Sequence, residues 1–214
     1  MEKIELQNVL PRVFAERGAR DSEVWLRELT LSRGRSYLLA AESGAGKSSL
    51  CQYLTGCRSD YLGSIGFDGH GIDGLSEAQW CETRRRHIAY LPQELHLFPE
   101  LTAIENVEIK NRLTGFRSRQ DILRLFDALG VADRAGYPAG RISIGQQQRV
   151  ALIRALCQPF DFLLLDEPVS HLDEACNSAV AQVVEEEARR QGAGIIATSV
   201  GNNIKLTFDK TYSL

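Results

Sequence analysis

Two hydrophobic periods divide the chain. Near the N-terminus Ile4, Leu6 and Val9, then Val24, Leu26, Leu29 and Leu31, alternate with polar residues as far as Ser36. A period of two predicts half-buried antiparallel strands, with the polar run 16–22 as the turn between them. The apolar run Leu38-Leu39-Ala40 gives way to small residues and then to a helical pattern over about 47–56. Ile65 and Phe67, set among the glycines of 63–74, predict a short hairpin, and Ser76-Glu77-Ala78-Gln79 reads as a helix start. Ile88-Ala89-Tyr90-Leu91 is a buried strand ending on Pro92-Gln93. Over about 102–131 the period becomes helical, with Ile104, Val107, Ile122, Leu123, Leu125, Phe126 and Leu129 recurring at three and four. Strand character returns at 160–165, a helix follows over 175–191, and Gly194-Ile195-Ile196-Ala197-Thr198 forms another buried strand.

This alternation of strand and helix, interrupted by a helical stretch, predicts an α/β fold with a mostly parallel sheet. The 214 residues, 43% hydrophobic and 25% charged, suit one soluble globular domain. The expected division is a core of 1–94 and 150–214 with an antiparallel β subdomain at its N-terminal end, and a helical subdomain over about 95–149. A net charge of −3 offers no reason to expect nucleic acid as a partner. Arg84-Arg85-Arg86 reads as a solvated helix face, the alternative being contact with a partner or with acidic lipid, and 185–190 reads as an exposed helix face. No basic segment precedes an apolar core at the N-terminus, and no run of about 18 apolar residues occurs, so secretion and membrane spanning are not expected. Five cysteines without a C-x-x-C pair fit reduced cytosolic thiols, and the four histidines lack metal-ligand spacing.

Chemistry concentrates first in Ala41-Glu42-Ser43-Gly44-Ala45-Gly46-Lys47-Ser48-Ser49, a small-residue turn between strand and helix. Gly44 and Gly46 let the chain fold back so that successive N–H groups point into one concavity, and the helix starting at Lys47 adds its positive dipole end. Such a turn cradles a triphosphate: Lys47 reaches the β- and γ-phosphates, and the Ser48 hydroxyl completes a magnesium shell. Ala41 stands where the phosphate-loop pattern has its first glycine, which predicts a slightly strained or shifted loop that still binds nucleotide. A second centre is Phe162-Leu163-Leu164-Leu165-Asp166-Glu167-Pro168, two carboxylates at the C-terminal end of a buried strand, the sheet edge where ligands bind. There Asp166 can face magnesium while Glu167 orients or deprotonates water.

Between these lies Ile142-Ser143-Ile144-Gly145-Gln146, a turn leading into a helix with apolar spacing Val150, Ile153, Leu156. Here the chain resembles the nucleotide-binding subunits of ATP-binding cassette (ABC) proteins, whose signature turn is usually L-S-G-G-Q. The phosphate loop, Pro92-Gln93, the signature turn and the L-L-L-D-E-P strand stand in the family's order across nearly the whole chain. The resemblance implies a P-loop NTPase fold that binds ATP and Mg2+. It implies a phosphate cradle of Ser43, Gly44, Ala45, Gly46, Lys47, Ser48 and Ser49, and magnesium held by Ser48, Gln93 and Asp166. Gln93 matches the family's Q-loop glutamine, and Ser170-His171-Leu172-Asp173 matches its D-loop, with His171 where alanine is more usual. Phe14 is similar in position to the aromatic that stacks on adenine, the alternative being a core phenylalanine. In the family two subunits meet head to tail, so Ser143, Gly145 and Gln146 would close over the triphosphate held by a second ATPase subunit, in a homodimer or a heterodimer.

Two departures qualify the implied activity. Ile144 replaces a glycine in the signature, and Ser199 stands where the family places a switch histidine. A serine has neither the reach nor the positive charge of that histidine. With Glu167 retained, the expectation is ATP hydrolysis, slowed, with Glu167, Gln93 and Ser199 as catalytic residues; a binding-only subunit is the other reading. The segment 97–107 resembles the macrolide-exporter and lipoprotein-releasing branch, with the cell-division ATPase as a relative. The implied protein is cytoplasmic, peripheral at the inner face of the membrane, and coupled to an integral permease that docks near 93–101 on exposed Leu97 and Phe98. The alternatives are a nucleotide-gated regulatory clamp, a mechanotransmission subunit with weak ATPase activity, and a non-transport ABC protein acting on DNA or ribosomes.

Overall fold

The computed structural model describes residues 1–16 and 22–214. The chain opens with β1 (Lys3–Pro11) and β2 (Glu28–Ser32), which pair antiparallel with Ile4 opposite Leu31 and Leu6 opposite Leu29. β1 carries an irregularity between Gln7 and Leu10, where Asn8 takes φ +51°, so that Val9 and Leu10 are buried together. The predicted period-two pattern stops short at its second half. Val24 is buried but precedes the strand, and Leu26 is exposed at φ +58°. The Leu26 amide donates to the Val9 carbonyl across a turn, a need that alternation alone does not register. The predicted turn at 16–22 falls largely outside the described residues.

Next come β3 (Ser36–Ala40), α1 (Lys47–Leu54), β4 (Tyr61–Phe67) and the two-residue β5 (His70–Gly71). The expected hairpin is present, and its first strand also pairs with β1. α2 (Glu77–Glu82) begins on a reciprocal cap between Ser76 and Gln79, and a wide helical turn, Thr83–His87, leads into β6 (Ile88–Leu91). That turn corrects the reading of the arginine run. Arg85 and Arg86 reach Glu82 at the surface, whereas Arg84 turns inward, donates to the Thr55 carbonyl at 3.1 Å and covers the Trp80 ring.

The helical stretch divides into α3 (Ala103–Asn111) and α4 (Arg119–Ala128), each with its own cap, Thr102 and Ser118, and with Gly115 at φ +61° between them. α5 (Ile144–Ala155), β7 (Phe162–Asp166), α6 (Glu174–Gln191), β8 (Gly194–Ser199) and β9 (Lys210–Ser213) complete the chain. Five strands form a parallel sheet in the order β6-β7-β8-β3-β9, and the others form an antiparallel sheet in the order β2-β1-β4-β5. β7 is buried along its whole length, which explains its unbroken apolar run.

One charged run was expected at the surface and lies partly inside. Glu187 on α6 is buried and pairs with Arg117, itself buried on the loop between α3 and α4, while Arg190 reaches the same carboxylate at 3.0 Å. The local spacing of charges in 185–190 carries no sign of a cation seventy positions away.

Candidate nucleotide-binding site

Parallel strands deliver their C-terminal ends to one edge of the sheet, and β3, β7 and β8 carry the chemistry there. After β3 the chain turns through Gly44 at φ +83° and Gly46 at φ +92°, left-handed conformations that glycine reaches at little cost. A Cβ on Gly46 would lie 3.0 Å from both the Phe14 and the Trp25 rings. The Trp25 indole N–H donates to the Ala45 carbonyl at 3.0 Å, so this tryptophan clamps the turn from outside. Phe14 is half-buried against the same turn. Ala41 keeps a negative φ, and the expected strain is absent: its N–H donates to the Ser199 carbonyl at 3.2 Å and its backbone needs no glycine.

Lys47 opens α1 and is buried. Its ammonium donates to the Ala41 and Glu42 carbonyls at 3.1 and 2.8 Å, which arches it back over the loop. Burial lowers its pKa, and the charges of the Glu167 and Asp166 carboxylates oppose that shift. Ser48, one residue on, lines a cavity of about 270 Å³ together with Gln93 and Asp166. The three side chains expected around magnesium thus share one cavity.

Asp166 is the last residue of β7 and is buried. Its Oδ1 accepts the Thr198 hydroxyl proton at 2.6 Å, while Oδ2 is buried with no hydrogen-bond partner. A buried carboxylate oxygen without a donor is costly, and a hard divalent cation held by carboxylate, hydroxyl and amide oxygens satisfies it. The residues present fit Mg2+.

Glu167 takes φ +51°, a left-handed conformation that costs a non-glycine residue about 1–3 kcal/mol. Both of its peptide groups are held. Its N–H donates to Thr198 Oγ1 at 3.1 Å, and its carbonyl accepts from Gln148 Nε2 at 3.0 Å. Gln93 Nε2 approaches Glu167 Oε2 at 3.4 Å. Thr198 and Gln148, neither singled out by sequence reasoning, therefore set the carboxylate pair. Gln148 lies on α5, is itself buried, and also donates to Ser170 Oγ at 3.3 Å while its Oε1 accepts from the His171 N–H at 3.2 Å.

Ser199 ends β8 beside Ala40 of β3, with 2% of its surface exposed. Its hydroxyl donates to the Asn202 carbonyl at 3.0 Å, and Asn202 Nδ2 donates to the Val169 carbonyl at 3.0 Å. The side chain is thus engaged with the following loop.

The signature residues lie elsewhere. Ser143 caps α5: its hydroxyl accepts from the Gln146 N–H at 3.3 Å, and Gln146 Oε1 accepts from the Ser143 N–H at 2.9 Å. An accepting hydroxyl keeps its proton free to donate outward. A Cβ on Gly145 would come within 2.9 Å of the His171 carbonyl, so the turn packs directly on the 170–173 loop. Ile144 is exposed, and none of Ser143, Gly145 and Gln146 lines the cavity beside Ser48.

Comparison with known proteins gives the family. Residues 27–170 match the family model described as ABC transporter. The ABC transporter ATP-binding protein YbbA of Escherichia coli K12 is 33% identical over 172 residues, 79% of this chain and 75% of its own. The lipoprotein-releasing system ATP-binding protein LolD 1 of Caulobacter vibrioides is 35% identical, covering 78% of this chain and 73% of its own. YtrE of Bacillus subtilis 168, an ABC transporter ATP-binding protein, is 30% identical over 88% of this chain and 84% of its own. In fold, the chain superposes on the ATP-binding cassette MJ0796, a dimer bound to ADP and Pi, with a TM-score of 0.78 at 23% identity, over 93% of this chain and 88% of that one. A family model matched over residues 27–170, and relatives at least 30% identical over more than two thirds of the chain, make this protein a member of the ABC transporter family and one of its ATP-binding subunits.

Proposed function

We propose that the chain binds ATP with Mg2+, dimerises over it, hydrolyses it slowly, and passes the resulting motion to a membrane permease. The observation that carries this reading is the cavity shared by Ser48, Gln93 and Asp166, with Asp166 Oδ2 buried and unpartnered and Glu167 within 3.4 Å of Gln93. The whole chain acts as one ATPase domain, with core 1–94 and 150–214 and a helical subdomain over about 95–149.

Each residue has a part. Ser43, Gly44, Ala45, Gly46, Lys47, Ser48 and Ser49 hold the phosphates through loop N–H groups, the lysine charge and the first turn of α1. Phe14, half-buried beside Gly46, supports the adenine end. Ser48, Asp166 and Gln93 would hold Mg2+, which when bound would supply positive charge to the phosphate oxygens. Glu167, helped by Gln93, orients a water and draws off its proton as its oxygen attacks the γ-phosphorus, giving ADP and inorganic phosphate. Ser143, the Gly145 N–H and Gln146 close over the nucleotide of a second subunit, homologous or identical; their distance from this chain's own cavity supports that arrangement.

Among the described residues no helix is long and apolar enough to cross a membrane. In this reading the subunit lies at the inner face of the membrane through its permease, docking near 93–101. Phe98 is exposed there as expected, whereas Leu97 is half-buried against the core and adds less to the docking face.

A second reading, a nucleotide-gated clamp with little turnover, draws on Ser199, whose hydroxyl is bound to Asn202 and whose residue type cannot replace a cationic switch side chain. ATP hydrolysis by the purified chain and by Glu167→Gln, with light scattering in Mg-ATP, separates the two. Turnover abolished in the variant, with an ATP-dependent dimer trapped, supports the motor. Nucleotide binding without turnover in either form supports the clamp, and no nucleotide binding overturns both.

A further inference from the structure

Outside the phosphate loop, the segment between α1 and β4 hands it a cation. Arg58 is exposed four residues past the end of α1, yet its guanidinium is held on three sides. Nε donates to Asp60 Oδ1 at 2.8 Å and Nη2 to Asp60 Oδ2, which fixes the plane of the fork. The guanidinium covers the Tyr53 ring, 5.7 Å from its centroid. Nη1 remains, and it donates to Ser49 Oγ at 3.1 Å. Ser49 follows Ser48 in α1 but does not line the cavity that Ser48 shares with Gln93 and Asp166. The Asp60 carbonyl also accepts the Arg12 N–H at 3.0 Å, two residues before Phe14. Ser49 thus occupies the nucleoside side of the cradle, as Ser48 occupies the magnesium side.

We propose that Arg58 is a positioning residue for the triphosphate, holding Ser49 Oγ as an acceptor so that the Ser49 proton is given to the phosphate nearest the nucleoside. A hydroxyl carries one proton, and a donor seated on its oxygen leaves that proton to be placed elsewhere. The phenol of Tyr53 is a neutral group beside it, and Tyr53 gives its own proton to the Asp60 carbonyl at 3.2 Å. An anionic phosphate oxygen is the stronger acceptor of the two. Asp60 balances the arginine charge, so Arg58 acts through the hydroxyl rather than as a free cation on the phosphates. An exposed arginine otherwise spreads over many rotamers; Asp60 and Tyr53 keep this one in place, so its ordering is complete before the ligand arrives. The proposal rests on the nucleotide reading above and adds to it a residue outside the phosphate loop.

The test replaces the pair together, by Arg58→Met with Asp60→Asn, so that no bare carboxylate is left to repel the ligand. Calorimetric titration with Mg-ATP is run on the full chain carrying Glu167→Gln, once with Ser49 present and once with Ser49→Ala. With Ser49 the pair replacement is expected to raise Kd about five- to tenfold, and with Ser49→Ala less than about twofold. Magnesium tripolyphosphate, titrated in place of Mg-ATP, is expected to weaken by the same factor, because the contact is to phosphate. The urea midpoint should not move, since an exposed pair contributes little stability. Equal losses in both backgrounds, a urea midpoint that falls with the affinity, or tripolyphosphate binding indifferent to the replacement overturns the proposal. So does an unchanged affinity for Mg-ATP, which leaves the nucleotide reading standing. Failure of the Glu167→Gln chain itself to bind Mg-ATP overturns the nucleotide reading, and the role of Arg58 with it.

Discussion

The Gln148 side-chain amide donates to the backbone carbonyl of Glu167 at 3.0 Å, joining the helix that begins at the signature turn to the residue proposed to activate water. The same amide group reaches Ser170 and the His171 N–H, so one buried side chain fixes both sides of the 167–171 turn. Gln148 acts as a positioning residue. Its replacement by alanine leaves the Glu167 carbonyl unpaired and frees a left-handed residue to relax. Gln148→Ala is expected to lower kcat about tenfold, the equivalent of roughly 1.4 kcal/mol, with little change in the Kd for a fluorescent ATP analogue. Steady-state kinetics beside nucleotide titration checks the split; a fall in affinity with kcat unchanged would place Gln148 in the binding scaffold.

Thr198 offers a separate handle on the same carboxylates, because its hydroxyl gives a proton to Asp166 and accepts one from the Glu167 amide. Thr198→Val keeps the shape and removes both bonds inside a buried site. The variant is expected to lose about 1–3 kcal/mol of stability in urea denaturation, since two groups are left without partners. It should also need more Mg2+ for half-maximal ATPase, because Asp166 is no longer held by its second oxygen. An unchanged magnesium requirement would show that the hydroxyl serves stability alone.

Local chemistry is legible in a linear chain, and contact at a distance is not. The strand, turn and helix around Lys47 can be read because their residues are consecutive, and so can β7, whose apolar run ends on Asp166. The caps Thr102 with Glu105 and Ser143 with Gln146 have the same S/T-x-x-E/Q form as Ser76 with Gln79, and they could have been read equally early. Trp25, Gln148 and Thr198 could not, since each acts on a loop at least 19 positions away. Leu26 fits a strand by alternation alone, yet it serves a turn bonded to Val9. Ala41 was expected to strain the loop because a glycine pattern was the only guide; the structure uses the glycine conformation at Gly44 and Gly46 instead.

The buried pair of Glu187 and Arg117 makes a prediction about folding that is independent of nucleotide. Arg117 also donates to the Leu156 carbonyl at 3.0 Å, which ties the α3–α4 loop to the end of α5 as well as to α6. Removing Arg117 leaves Glu187 paired with Arg190, whereas removing Glu187 strands the buried Arg117 guanidinium in the interior. Glu187→Leu alone is expected to destabilise the chain by about 3–5 kcal/mol, whereas Glu187→Leu with Arg117→Met should recover most of that loss. Urea denaturation of the two single variants and the double variant checks the cycle; additive losses would mean that the two side chains act separately.

Trp25 isolates the contribution of the phosphate loop's outer clamp. The indole N–H donates to the Ala45 carbonyl, and the ring lies against Gly46, so tryptophan both hydrogen-bonds the turn and limits its width. Trp25→Phe keeps most of the apolar ring and deletes the donor. A loop that must then be ordered by its ligand binds that ligand more weakly, because part of the interaction energy goes into ordering. The expected result is a loss of about five- to tenfold in affinity for ATP, matching roughly 1–1.4 kcal/mol for one hydrogen bond. Calorimetric titration with Mg-ATP on the Glu167→Gln background, where hydrolysis does not intrude, gives the number directly. Unchanged affinity would show that Gly44 and Gly46 hold the turn without help, and that Trp25 is there to fill the core beneath it.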